Sequence, residues 1–314
     1  MIRFFVKCFA LLTLNSLFSQ NVLTEQYFLN NYLLNPAVSG IEEFVDVQLG
    51  HRWQWTGLEG APKTTYLSIH APVGAGKVFP GFSRYESGKY LDYNVQKRSV
   101  RGVGGYLLSD KIGAFSTYEV GVSLANHLPL TKDSYLSFGA SPSVSIVSLD
   151  QDFLSNGLSA DPTIAGFGNQ IEVNLKFGLW YYRKNLYAGV SSFHYGVSGV
   201  DDVFITGGYR WNSMLSDWDL IPFGIARYAR GEVNIDVGLK ASWKQRMLLG
   251  GLLRSNKSVT GFFGFNLNTA LSFTYFYNTI PAAGERSIGA STHEVNLQFR
   301  MKNSDGVLCP QMMW

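Results

Sequence analysis

Apolar and polar residues alternate with a period of two in fourteen short stretches, most clearly in Glu232, Val233, Asn234, Ile235, Asp236, Val237, Gly238, Leu239 and Lys240. A strand sends successive side chains to opposite faces. Val233, Ile235, Val237 and Leu239 therefore form an apolar face, and Glu232, Asn234, Asp236 and Lys240 a polar one. The stretches are 43–52, 63–71, 100–109, 114–126, 135–148, 172–182, 185–193, 203–211, 220–228, 232–240, 245–254, 257–266, 268–277 and 291–300. Other apolar faces are Val45, Val47 and Leu49; Tyr118, Val120, Val122 and Leu124; Val173, Leu175, Phe177 and Leu179; and Val295, Leu297 and Phe299. A soluble sandwich also alternates, but it buries its apolar face between sheets. Here aromatic placement favours a membrane: Trp53, Trp55, Trp180, Tyr181, Tyr182, Tyr209, Trp211, Trp218, Trp243, Tyr275 and Tyr277 fall at predicted strand ends, where headgroups meet water. The expected fold is all-β, a transmembrane antiparallel outer-membrane β-barrel of about fourteen strands over residues 43–300.

Turns support hairpins: Arg183, Lys184 and Asn185 separate one pair of strands, and Arg230 and Gly231 another. Four connections are long, 53–62, 72–99, 149–171 and 278–290. With both termini in the periplasm, 72–99 faces inward and the other three face outward. Large polar-face residues such as Tyr66, Tyr135, Asn174, Asn234 and Asn266 are expected to narrow the lumen.

The first nineteen residues carry Arg3 and Lys7, an apolar run from Phe9 to Leu14 and Ser19 before Gln20, the order of a secretory signal peptide covering 1–19. The apolar run is too short to cross a bilayer, which takes about 20 residues. Residues 20–42 form an N-terminal periplasmic or plug segment, in which two helical turns are expected before Pro36 stops them. Residues 301–314 form a periplasmic C-terminal tail.

Charge adds little. The formal net charge of +3 falls by two when Arg3 and Lys7 leave with the signal, and no basic run suggests a nucleic-acid partner. Cys309 remains alone once Cys8 is removed, so it closes no internal disulfide.

Candidate chemistry is sparse. The five histidines, His51, His70, His127, His194 and His293, are far apart in sequence, and none has the spacing of a zinc helix. His293 and Glu294 are neighbours on a strand and so face opposite ways. Asp150 and Asp152 open the 149–171 loop, but the order of a calcium loop fails after the second acid. Gly102, Gly104 and Gly105 read as strand glycines in a crowded lumen rather than as a phosphate loop. No catalytic, metal or cofactor site is expected.

Particular residues carry a family likeness: Gln26, Tyr27 and Phe28; Asn35, Pro36, Ala37 and Gly40; then Arg52, Gln54, Trp55, Gly57, Gly60, Ala61, Pro62 and Thr64. Further along come Ser109 to Gly113, then Gly289, Thr292, His293 and Glu294, and last Cys309 and Pro310. In order and spacing this resembles the PorP/SprF family, with residues 77–99 as an insertion. The resemblance implies an outer-membrane subunit of the type IX secretion, and in some members gliding, machinery of Bacteroidota. It implies contact with outer-membrane lipids, periplasmic ring subunits and secreted adhesin-type cargo. The candidate partner interface is Gln26, Tyr27, Asn35, Pro36, Arg52, Trp55, Gly57, Gly60, Ala61 and Pro62. The candidate assembly strand presents Val295, Leu297 and Phe299. The alternatives are a general porin or small-solute channel and, more distantly, a membrane-embedded lipid-modifying enzyme.

Overall fold

The computed structural model describes residues 30–42, 44–58, 60–73, 85–86, 89–90, 99–131, 133–149, 169–183, 185–196, 200–212, 217–229, 231–255, 257–279 and 291–301. The expected signal peptide, Gln26 and Tyr27, most of the 72–99 connection, Asp150 and Asp152, and the expected tail with Cys309 lie outside the described residues.

Fourteen antiparallel strands follow one another around a ring. They are β1 (Val45–Trp53), β2 (Lys63–Val73), β3 (Val100–Ile112), β4 (Phe115–Pro129), β5 (Ser134–Leu149), β6 (Gln170–Arg183) and β7 (Leu186–Tyr195), then β8 (Val200–Tyr209), β9 (Trp218–Ala229), β10 (Glu232–Trp243), β11 (Met247–Arg254), β12 (Val259–Asn266), β13 (Leu271–Thr279) and β14 (Ser291–Met301). Closure runs from Val45 opposite Met301 to Trp53 opposite His293, where β1 meets β14. Residues 211–212 pair with the start of β9 beside the β8–β9 seam, and 85–86 pair with 89–90 in a separate hairpin. The start of β1 at Val45 and the end of β14 at Met301 lie opposite each other at one rim, which we call periplasmic by the rule for single-chain outer-membrane barrels.

Alternation sets the two faces. Along β10, Val233, Ile235, Val237 and Leu239 point outward and are exposed in the isolated chain, while Lys240 is buried inside. Along β14, Val295, Leu297 and Phe299 alternate with buried Glu294, Asn296, Gln298 and Arg300. The wall is uneven in height. β4, β5 and β6 have 15, 16 and 14 residues, well beyond the roughly 10 that cross a bilayer, whereas β11 and β12 have 8 each.

Inward aromatics explain many of the strand glycines. Tyr66 lies over Gly50, Tyr106 over Gly121, Trp180 over Gly189, Tyr187 over Gly208 and Phe223 over Gly238, each directly opposite on the neighbouring strand. A Cβ at any of these glycines would strike the ring, so the ring packs flat on the wall. The placement of Trp180 and Tyr182 corrects the expectation that they sit at a lipid interface. Both are fully buried and point into the lumen, Trp180 stacked on Tyr187 and Tyr182 on Tyr135. Trp211 and Trp218 do face outward and are exposed.

Candidate functional site

The segment preceding β1 runs through the lumen along the inner wall. It forms α1 (Asn31–Leu34), a single turn in place of the two expected, then a 3₁₀ turn over Pro36–Val38, and nearly all of it is buried. The break at Asn35 follows from Pro36, which disfavours a helical conformation in the residue before it. Asn35 is extended, with φ −140° and ψ 110°. Its Oδ1 accepts from the Ala37 amide and caps the 3₁₀ turn. Its Nδ2 donates to the Leu179 and Val190 carbonyls, which face each other across β6 and β7.

Beyond Asn35 the segment is held group by group. Ser191 Oγ donates to the Leu34 carbonyl and Ser137 Oγ to the Ala37 carbonyl, each at 2.7 Å. Ser39 Oγ donates to the Pro36 carbonyl and contacts Ser123 Oγ, which also contacts the Tyr32 hydroxyl. Each hydroxyl has one hydrogen, so the chain must run from Tyr32 to Ser123 to Ser39 to the carbonyl. Burial pushes the Tyr32 phenol above its ordinary pKa, which suits this donor role; the Ser123 hydroxyl opposes the shift in part. His127 Nε2 donates to the Ser39 carbonyl at 2.8 Å, leaving Nδ1 to accept from Tyr182. The Gly40 amide donates to His70 Nδ1 at 3.2 Å. Two histidines weighed in the sequence only as catalysts are thus neutral hooks for a backbone.

The floor under this segment lacks side chains. A Cβ at Gly102 would stand 1.7 Å from the Ser39 carbonyl oxygen, and one at Gly139 2.3 Å from the Ala37 nitrogen. Nearby, the β4–β5 ladder breaks opposite Pro142, which has no amide to donate, and Ser141 Oγ donates to the Val122 carbonyl instead.

Elsewhere among the described residues, two kinds of side chain line the lumen. Phe193, Phe204, Phe223, Ile225, Leu248, Leu252, Phe262 and Phe276 form an apolar cluster that Leu34 joins. Toward the external rim, acids and bases alternate along the wall. Lys176 Nζ is 3.2 Å from Glu119 and lies over the Tyr106 ring; Arg227 is 3.0 Å from Asp202, and Arg254 3.7 Å from Asp236. Of the five residues expected to narrow the lumen, Tyr66, Tyr135, Asn174 and Asn266 are buried there, whereas Asn234 is exposed near the external rim.

The candidate interface residues separate into two places. Asn35 and Pro36 are enclosed by the barrel, which leaves them no outward face. Arg52, Trp55, Gly57, Gly60, Ala61 and Pro62 gather at the external mouth. Arg52 points inward, beside Asp110 and close to Thr64, whose Oγ1 donates to Asp110 at 2.6 Å. The loop after it is tied down on both sides. Thr56 bonds Ser291 at the start of β14, and the Gly113 amide donates to the Gly60 carbonyl from the β3–β4 turn. Trp55, Gly57 and Gly60 take positive φ of 53°, 101° and 71°, so two of the three strained positions are glycine.

What the sequence missed is the path of the segment and the inward aromatics other than Tyr66 and Tyr135. Parity carried a usable signal for the latter. Trp180 and Tyr182 share the parity of Asn174 and Lys176, which are polar and buried.

Solved structures share the fold. The Acinetobacter baumannii outer-membrane protein Omp33 aligns with a TM-score of 0.51 at 12% identity, over 84% of this chain and all of its own. A protein described as the monoaromatic hydrocarbon channel CymD aligns with a TM-score of 0.50 at 12% identity, over 88% of this chain and 92% of its own. A search of curated proteins finds no match. Together with the family match, this barrel fold places the protein in the outer membrane. The family model described as type IX secretion system membrane protein PorP/SprF matches residues 16–299, nine-tenths of the sequence, and the chain therefore belongs to the PorP/SprF family.

Proposed function

We propose that this barrel is a closed, non-conducting subunit of the type IX machinery, working as a scaffold or cargo-specific partner through its rims. The single observation that carries this reading is a lumen in which the chain's own described groups are packed: the seated 30–42 segment, the apolar cluster and largely buried ion pairs. A barrel of fourteen strands is wide enough to leave a passage, so filling it is a specific feature of this sequence. The external loop 54–62, tied to Ser291 and Gly113, offers a pre-formed platform on which Leu58 is exposed and Trp55 half-buried. Ring subunits would meet the periplasmic rim, and exported adhesin-type proteins the external one. Val295, Leu297 and Phe299 on the closing strand would serve recognition by the insertion machinery.

The experiment compares the culture-medium proteins of the native host with and without the gene. Selective loss of proteins bearing the type IX C-terminal signal is expected. An unchanged secretome would sink the proposal. The competing reading is a channel for small solutes, and the apolar lumen cluster favours it, since CymD is described as a hydrocarbon channel. Steady conductance or solute uptake by the intact protein would support that alternative.

A further inference from the structure

We infer that the inner wall from β2 to β7 is a built peptide groove, and that the chain's own Leu34–Gly40 strap is its permanent occupant, staying seated while the protein works. The inference deepens the closed-scaffold reading and rests on it for its secretion arm only.

Three features distinguish a permanent strap from a removable cork. First, the groove binds backbone. The carbonyls of Leu34, Ala37 and Ser39 and the amide of Gly40 each have a dedicated partner on a different strand: Ser191, Ser137, His127 and His70. A cork that leaves would strand these hydroxyls and imidazoles in a dry wall, and buried polar groups without partners are costly. Second, the floor is shaped for this chain. Gly102 and Gly139 leave room for main chain at the points where Ser39 and Ala37 touch the wall, and Gly178 leaves room for the Asn35 side chain. A wall meant to clear would gain nothing from glycines at these points. Third, the tether is short. Four residues separate Gly40 from Val45, the first residue of β1, and they span at most about 3.5 Å each. Gly40 itself rests against Ala71 and Gly102. So short a tether keeps the strap at the mouth of its own groove, at a high effective concentration that favours the seated state.

The consequence concerns mechanism. Whatever the subunit passes to its partners goes by its rims, since the periplasmic half of the lumen is never a route.

Single-cysteine labelling in secreting cells tests this. In a Cys309→Ser background, Ser39→Cys is expected to react with a small maleimide more than about 100-fold slower than in denatured protein. Fast labelling in cells whose barrel still shows heat-modifiable gel mobility would overturn the inference. As a positive control, Gly139→Val pushes a side chain against Ala37 and should raise labelling at position 39; continued protection there would show that the groove does not hold the strap, overturning it as well. If that variant fails to fold, Gly178→Ala, which meets the side chains of Asn35 and Pro36 and no main-chain atom among its nearest neighbours, takes its place. A second measurement bolts the strap. Ser39 Oγ and Ser123 Oγ lie 2.8 Å apart, and Ser39→Cys with Ser123→Cys forms a disulfide in the oxidising periplasm. Secretion at the parental level with the bolt closed is expected. A block that reductant relieves would show that the strap must leave. Labelling does not depend on the secretion reading, so a secretome unchanged by gene deletion would sink that reading and leave the strap result standing.

Discussion

The strap-bearing arc of the wall turns Ser68, Gly102, Ser123, Ser137, Gly139, Gly178 and Ser191 into the lumen, whereas the facing arc from β8 to β13 turns in Phe204, Phe223, Ile225, Leu248, Leu252, Phe262 and Phe276. The first arc carries its own inward rings, Trp180 and Tyr182 among them, but where it receives a backbone it needs hydroxyl donors and missing side chains. The second fills space by itself, so it needs volume. Strand length follows the same division: β4 to β6 are the tallest strands and carry the strap, and the short β11 and β12 carry Leu248, Leu252 and Phe262. Alternation alone does not distinguish these solutions, because both arcs show the same period of two.

The largest effect is expected on the apolar arc. Phe276 is fully buried, stacks on Phe262 at 5.4 Å, and its replacement by alanine should cost about 3–5 kcal/mol in denaturant unfolding. A cost under about 1 kcal/mol would mean that this arc is not packed. Close behind comes the boundary between the arcs, where Lys176 pairs with Glu119 and lies over Tyr106 and Phe193. Lys176→Met strands a buried carboxylate and should cost roughly 3 kcal/mol, while adding Glu119→Gln should recover most of it. If the double variant is no better than the single, the pair is not what holds this boundary.

Glycines sharpen the comparison further. Gly102→Ala drives a Cβ into the strap backbone, and about 1–3 kcal/mol of destabilisation is expected. Gly261→Ala on the outer face of β12 meets nothing within 4 Å and should lie within about 0.5 kcal/mol of the parent. Equal effects at the two positions would remove the distinction between floor and lipid face. Between these two lies Ser137→Ala, which takes one donor from the Ala37 carbonyl and should cost about 1 kcal/mol by the same unfolding assay.

Most of the barrel was legible in the chain. Each of the fourteen expected strands has its counterpart, as in 135–148 against Ser134–Leu149 and 232–240 against Glu232–Trp243, because period-two patterning is local and repeated. Family membership was legible for the same reason, through residues at fixed order along the whole chain. The interior was not. Asn35 meets Val190 across 155 positions and Ser39 meets Ser123 across 84, and no local pattern announces such contacts. Aromatics near strand ends were read by position and not by parity, which put Trp180 and Tyr182 on the wrong face. His70 and His127 show no local pairing in the sequence because each meets a backbone group, the Gly40 amide and the Ser39 carbonyl, 30 and 88 positions away.

The most direct measurement is the conductance of the purified full-length protein in planar lipid bilayers. Silence across the voltage range is predicted, since strap, apolar cluster and ion pairs occupy the lumen together. A steady open-channel current from the unmodified protein would contradict the account.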